Sequence, residues 1–244
     1  MDDWVGNEMA RRTVLGLFVG GTATLLAGCG PSESRYRQKI TIEVETPSGV
    51  KKGSSVIEVA FAAKSKVLEY IPGNSFSVHG EAVAVDVAPG KTLFALLSQP
   101  PERGSDTSWY QAMLFGDALR AGAISEPPLT LPGHGLDVHR VIGNSRAKLT
   151  LPPQLYPLLV TFTDLADPKS IERVAPADLA AAFGSGYVLR CIAVEVTDDA
   201  VTTGIEKRLA TLGIEPDHGL DRRLGVTATP TLAQQLGYGD FVRL

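Results

Sequence analysis

Cysteine is nearly absent, with two in 244 residues, which excludes a disulfide scaffold, a CxxC redox pair and a multi-cysteine zinc site. Neither sign of charge dominates: 23 Lys plus Arg stand against 27 Asp plus Glu. A net charge of −4 provides no field to attract a phosphate backbone, and with no local basic stripe in the chain a nucleic-acid partner is not expected. Aromatic residues make up 7% of the chain and do not cluster into the outline of a sugar- or peptide-binding groove. No run reaches the roughly 20 predominantly apolar residues of a comfortable membrane-spanning helix. The 25 glycines and 16 prolines stay below the roughly 25–30% that marks low complexity. What is present is 44% hydrophobic residues, enough to bury the core of one or two ordinary domains.

The N-terminal stretch has the grammar of a signal peptide. Arg11 and Arg12 precede an apolar run from Val14 to Leu26, which ends in the small residues Ala27 and Gly28 before Cys29. The segment Leu26-Ala27-Gly28-Cys29 resembles the lipobox of bacterial lipoproteins. The resemblance implies that the Cys29 thiol receives a diacylglyceryl group and that a dedicated peptidase cuts just before it. The freed amine is then acylated as well. Arg11-Arg12 also resembles a twin-arginine export signal, although the Phe and Lys typical of that pattern are missing, so folded and unfolded export both stay open. Asp2, Asp3 and Glu8 offset the basic pair, and a start at Met9 would leave the same signal without them. Gly30 occupies the position where an Asp favours retention in the inner membrane, so sorting to the periplasmic face of the outer membrane is the implied destination. The sequence as a whole resembles uncharacterised proteobacterial lipoproteins, a likeness that carries no activity with it.

Downstream, the expected organisation is a signal peptide over 1–28, an acylated tether over 29–37 and a single α+β domain over 38–244, with an antiparallel β-rich body and a few short helices. Ile40, Ile42 and Val44 alternate with Lys39, Thr41 and Glu43, the period of a half-buried strand. The turn residues Pro47 to Gly53 join this strand to a second run over Val56–Phe61, as in a β-hairpin. One strand is expected from Phe76 to Val87, paired through Pro89-Gly90 with Lys91–Leu97. A helix is expected over Ser108–Ala121 with Ser108 as its cap, then a loop region or a set of short strands over 122–155. A central strand over Pro157–Leu165, a short helix over Pro176–Gly184 and a strand over Tyr187–Val196 follow. A helix over Val201–Leu212 and a terminal strand from Phe241 to Leu244 complete the pattern.

Candidate chemistry is sparse. His134, Asp137 and His139 are the one set of metal-ligand residue types close together, the composition of a three-ligand site with an open position. Their spacing is not that of H-E-x-x-H, and Gly133 and Gly135 argue against a helix there. Asp198 and Asp199, between a strand and a helix, suit helix capping. Asp164 and Asp167 suit the turn at Pro168. His79 and Glu81 share a strand face as a polar edge, and His218 lies in a loop. Cys191, within an apolar strand, is expected to be buried and inert. Gly184-Ser185-Gly186 reads as a turn, and Trp109 and Tyr110 as core residues of their helix. The expectation is a lipid-anchored cell-envelope protein with a non-catalytic binding or structural role, lipidated at Cys29. It needs no cofactor and holds no metal, and its partners are the membrane and an envelope protein. The alternative is an envelope metal-dependent hydrolase using His134, Asp137 and His139.

Overall fold

A computed structural model describes residues 33–62, 75–104, 106–133, 135–164, 167–211, 220–221 and 230–244. The lipobox, the arginine pair, His134 and His218 lie outside the described residues, so Cys29 and the signal enter only through the sequence. All described residues fall within one compact unit, Pro31–Leu244.

Strand β1 (Glu33–Thr46) turns Tyr36, Gln38, Ile40, Ile42 and Val44 inward and Arg35, Arg37, Lys39, Thr41 and Glu43 outward. It begins at Glu33 rather than at residue 38: the same alternation extends back through Gln38 and Tyr36, so residues 33–37 belong to the sheet and not to a tether. A two-residue turn, Pro47-Ser48, joins β1 to β2 (Gly49–Ala62). Thr46 Oγ1 accepts from the Ser48 amide and donates to the Gly49 carbonyl, at 3.2 and 2.7 Å, while Gly49 supplies the positive φ of 105° at the return.

The run expected as one strand divides at Ala82 into β3 (Ser75–Glu81) and β4 (Val83–Ala88). The phase of alternation shows why: the inward positions are Val78 and Gly80 before the break and Val83, Val85 and Val87 after it, a slip of one residue. The chain changes sheets there. β5 (Lys91–Ala95) returns beside β4.

Helix α1 (Thr107–Arg120) starts one residue earlier than expected, because Asp106 and not Ser108 is the cap, accepting from the Trp109 amide. β6 (Ser125–Glu126) and β7 (Lys148–Thr150) are short strands in the stretch expected as loop or short strands, and they flank α2 (Leu136–Gly143), where no helix was expected. Gly135 does not prevent it; with φ of 77° it turns the chain into the first helical residue, and Val138, His139 and Ile142 form the buried stripe.

Next come β8 (Leu159–Phe162), β9 (Ile171–Arg173), α3 (Leu179–Phe183) and β10 (Val188–Thr197). Asp178 caps α3, accepting from the Ala181 amide, and Gly184 ends it with φ of 104°. α4 (Glu206–Thr211) starts later than expected, since Thr202 is instead held in extended form against β2, its amide donating to the Val56 carbonyl at 3.1 Å. α5 (Leu232–Gln235), α6 (Tyr238–Phe241) and the expected terminal strand β11 (Val242–Arg243) close the chain.

The result is an α+β protein on two antiparallel sheets, ordered β11-β3-β2-β1-β10-β7-β6 and β4-β5-β8-β9. The inner face of the large sheet packs on Val83, Val85, Leu93 and Ala95 of the small one and on α1 and α2. The opposite face of the small sheet, Phe94, Val160 and Phe162, packs on Leu209, Ala233, Leu236 and Phe241. The small sheet is thus buried on both faces, so all four residues of β8 are buried, Thr161 donating its hydroxyl to the Thr92 carbonyl at 2.9 Å.

Candidate functional site

Of the candidate metal set, Asp137 and His139 do not converge, and His134 lies outside the described residues. His139 is 3% exposed and stacks on Phe61, with ring centroids 4.7 Å apart at 13°, among Tyr36 and Phe76. Asp137 lies on the solvent side of the same helix and pairs with Arg140 at 3.2 Å. Two residues apart on a helix, the side chains diverge by about 200°. Among the described residues no group of three His, Cys, Asp or Glu is placed to hold a metal ion. Burial pushes the His139 imidazole below its ordinary range, and the Arg120 charge adds to the effect.

Asp198 and Asp199 cap no helix, because α4 begins at Glu206. They follow β10 and meet cations of neighbouring elements instead: Asp198 pairs with Arg146, and Asp199 with Lys39 at 3.2 Å. Arg37 also donates to the Asp199 carbonyl at 3.3 Å. This is one flank of a cleft of about 490 Å³ lined by Arg35, Arg37, Glu58, Asn144, Arg146 and Asp198, among others. Strand pairing builds it: Arg37 lies opposite Glu58 of β2 on one side and Thr197 of β10 on the other. Glu58 accepts from Arg35 at 2.7 Å and from Arg37 at 3.1 Å. Partial burial pushes the Glu58 carboxyl up, yet the hydrogen bonds and charge of the two arginines outweigh it and hold the group below the usual carboxylate range. Arg146 reaches the cleft from the exit of α2 with φ of 56°, the one positive φ among the described non-glycine residues. Guanidinium, amide and carboxylate groups around an open cleft suit hydrogen-bonded recognition of a polar surface. The outward row of Arg35, Arg37 and Lys39 is legible in the alternation of β1; the arrival of Arg146 and Asn144 is not.

The remaining candidates have structural roles. Asp167 begins the turn at Pro168, accepting from the Lys169 amide at 2.8 Å, and Asp164 exchanges hydrogen bonds with Ser170 across the same turn. The His79–Glu81 edge is not uniformly solvated: His79 is exposed, but Glu81 is 7% exposed and accepts from the Ile205 amide at 2.9 Å just before α4. Burial pushes the Glu81 carboxyl up. Cys191 is half-buried rather than buried, on the outward face opposite Glu43. Burial and then the Glu43 charge push its thiol up, away from the reactive thiolate. Tyr110 is a core residue as expected, donating to the Leu155 carbonyl at 2.8 Å, whereas Trp109 is 51% exposed.

A second cleft, of about 560 Å³, lies at the other end of β1 among Pro47, Ser48, Lys51, Asp86, Pro89 and Tyr187, where the two hairpin turns meet. Arg208 clasps Asp86 there with two hydrogen bonds, at 2.7 and 2.8 Å, and holds its carboxyl below the usual range. Compared with family models, with curated proteins and with solved structures, the chain matches none.

Proposed function

We propose that this chain is a lipid-anchored protein of the cell envelope with a non-catalytic binding or structural role. One observation carries the reading: Leu26-Ala27-Gly28-Cys29 closes an apolar run behind an arginine pair, and the first strand begins four residues after that cysteine. Acylation of Cys29 and cleavage before it release a chain whose fold starts almost at its lipidated end. Two or three acyl chains, at about 0.8 kcal/mol per buried CH₂, hold such a protein firmly where one chain binds only reversibly. With Gly30 where an Asp would favour inner-membrane retention, the periplasmic face of the outer membrane is the implied default. The open clefts at the two ends of β1, lined by charged, hydrogen-bonding and small apolar groups, are surfaces that suit a partner.

The test is metabolic labelling with a radioactive fatty acid in wild type and Cys29→Ser. Label in the wild type and none in the variant is the expected outcome, with the variant retained as a longer, unprocessed precursor. Equal labelling of the two would end the lipoprotein reading.

A further inference from the structure

We propose that the body itself sits on the bilayer, with Trp109 in the headgroup region and the Arg35–Arg37–Arg146 cleft beside it, an inference that rests on acylation of Cys29. Strand register carries it. Ser34 of β1 pairs with Phe61 of β2, and Phe61 with Phe76 of β3, so the three lie in one row at the end where β1 begins. Trp109 stands edge-on to Phe76, with ring centroids 5.2 Å apart and planes at 89°. Half of its surface is open, and few large apolar side chains among the described residues are as exposed. Arg35, the next residue of β1, faces outward and opens onto the cleft it shares with Arg37 and Arg146 at the same sheet end. One end of the sheet therefore presents an indole beside Phe76 and three guanidinium groups around a cleft.

Covalent reach brings that end to the membrane. Ser34 is five residues from Cys29, and five residues extend to at most about 18 Å. The headgroup layer on each side of a bilayer is itself about 5–8 Å deep. A body tied this closely cannot turn its first strand away from the lipid. Indole rings concentrate at the membrane–water boundary because an apolar ring carries one N–H donor, and guanidinium groups supply paired donors to lipid phosphates. Charge among the described residues does not drive the contact, since Glu33, Glu58, Asp198 and Asp199 balance Arg35, Arg37, Lys39 and Arg146. The contact therefore forms on a zwitterionic surface as readily as on an anionic one, and salt does not disperse it.

Trp109 is its own reporter. The chain has two tryptophans, and Trp4 is lost with the signal, so the processed protein emits from Trp109 alone. The acylated protein is reconstituted into phosphatidylcholine vesicles whose acyl chains carry bromine close to the headgroup. The expected result is loss of emission relative to the same protein in unbrominated vesicles. A protein that floats with the vesicles but keeps its full emission overturns the inference and leaves the anchor standing. A protein that neither floats nor carries acyl groups removes the anchor and this inference together, so flotation separates the two failures. Orientation is checked by moving the reporter: in Trp109→Phe combined with Tyr187→Trp, emission from the far end of β1 is expected to be unaffected by bromine. Equal quenching at both positions would overturn the proposed orientation.

Discussion

Replacing Gly53 by Ala tests the closest approach of the two sheets. Gly53 lies on the inward face of β2, opposite Ile42 of β1. A Cβ built there would sit 2.3 Å from the Ala84 carbonyl oxygen of β4 and 2.8 Å from Val85 Cγ2. The oxygen belongs to a backbone already paired within the small sheet, so no rotamer change relieves the contact. Restoring an ordinary separation of about 3 Å requires the sheets to part by about 0.7 Å, in an interior that is close-packed on both sides. Overpacking of this kind destabilises by about 1–3 kcal/mol, and a backbone collision belongs at the upper end. For a chain of this size about 3 kcal/mol lowers Tm by roughly 6–12 °C. Calorimetry of the purified chain measures the shift. Gly90→Ala is the control: it meets no atom within 4 Å, and only its φ of 69° opposes the change, an effect of about 1–2 kcal/mol. Val85→Ala in the Gly53→Ala background removes the side-chain collision but not the carbonyl one and should recover little stability. A Tm within about 2 °C of wild type, or full rescue by Val85→Ala, would refute the claim that backbone contact sets the sheet separation.

Gln111→Leu should be destabilising by about 1–3 kcal/mol, because the Leu97 carbonyl and the Gln38 amide each lose a bond, of 2.7 and 3.1 Å. Denaturant titration of Gln111→Leu, Gln38→Leu and the double variant should give a sum larger than the double, since the two amides are coupled. The depressed His139 imidazole makes the folded state refuse a proton that the unfolded chain accepts near pH 6.5. Its contribution is therefore intact above that pH and lost as pH falls below it, and His139→Phe should flatten that part of a stability–pH profile. Glu81 has the opposite sign: its raised value lets the folded state take up a proton first, so acidification from that value towards the ordinary glutamate range adds stability. Glu81→Gln should remove the gain, and an unchanged profile in the same denaturation series would count against burial as its cause.

Much of this protein is readable from local pattern. The period of two in β1 and β10, the turn chemistry at Pro47-Ser48 and Pro89-Gly90, and the glycine that ends α3 follow from backbone sterics and from side chains alternating between two faces. That determines the α+β class and the outward row of Arg35, Arg37 and Lys39. The resemblance of Leu26-Ala27-Gly28-Cys29 to a lipobox is equally local, since four consecutive residues carry it. Tertiary structure decided the rest. The split at Ala82 exists because the chain leaves one sheet for another, and the one-residue slip between Val78 and Val83 acquires meaning only once both sheets are in place. α2 forms after two glycines because His139 finds a floor of Tyr36, Phe61 and Phe76 while Val138 and Ile142 join the main core. Asp198 and Asp199 became ion-pair partners rather than caps because α2 delivers Arg146 and β1 delivers Lys39 to the end of β10. Propensity and pattern act over a few residues, whereas burial and charge pairing depend on groups brought together from distant parts of the chain, which only the packed fold can specify.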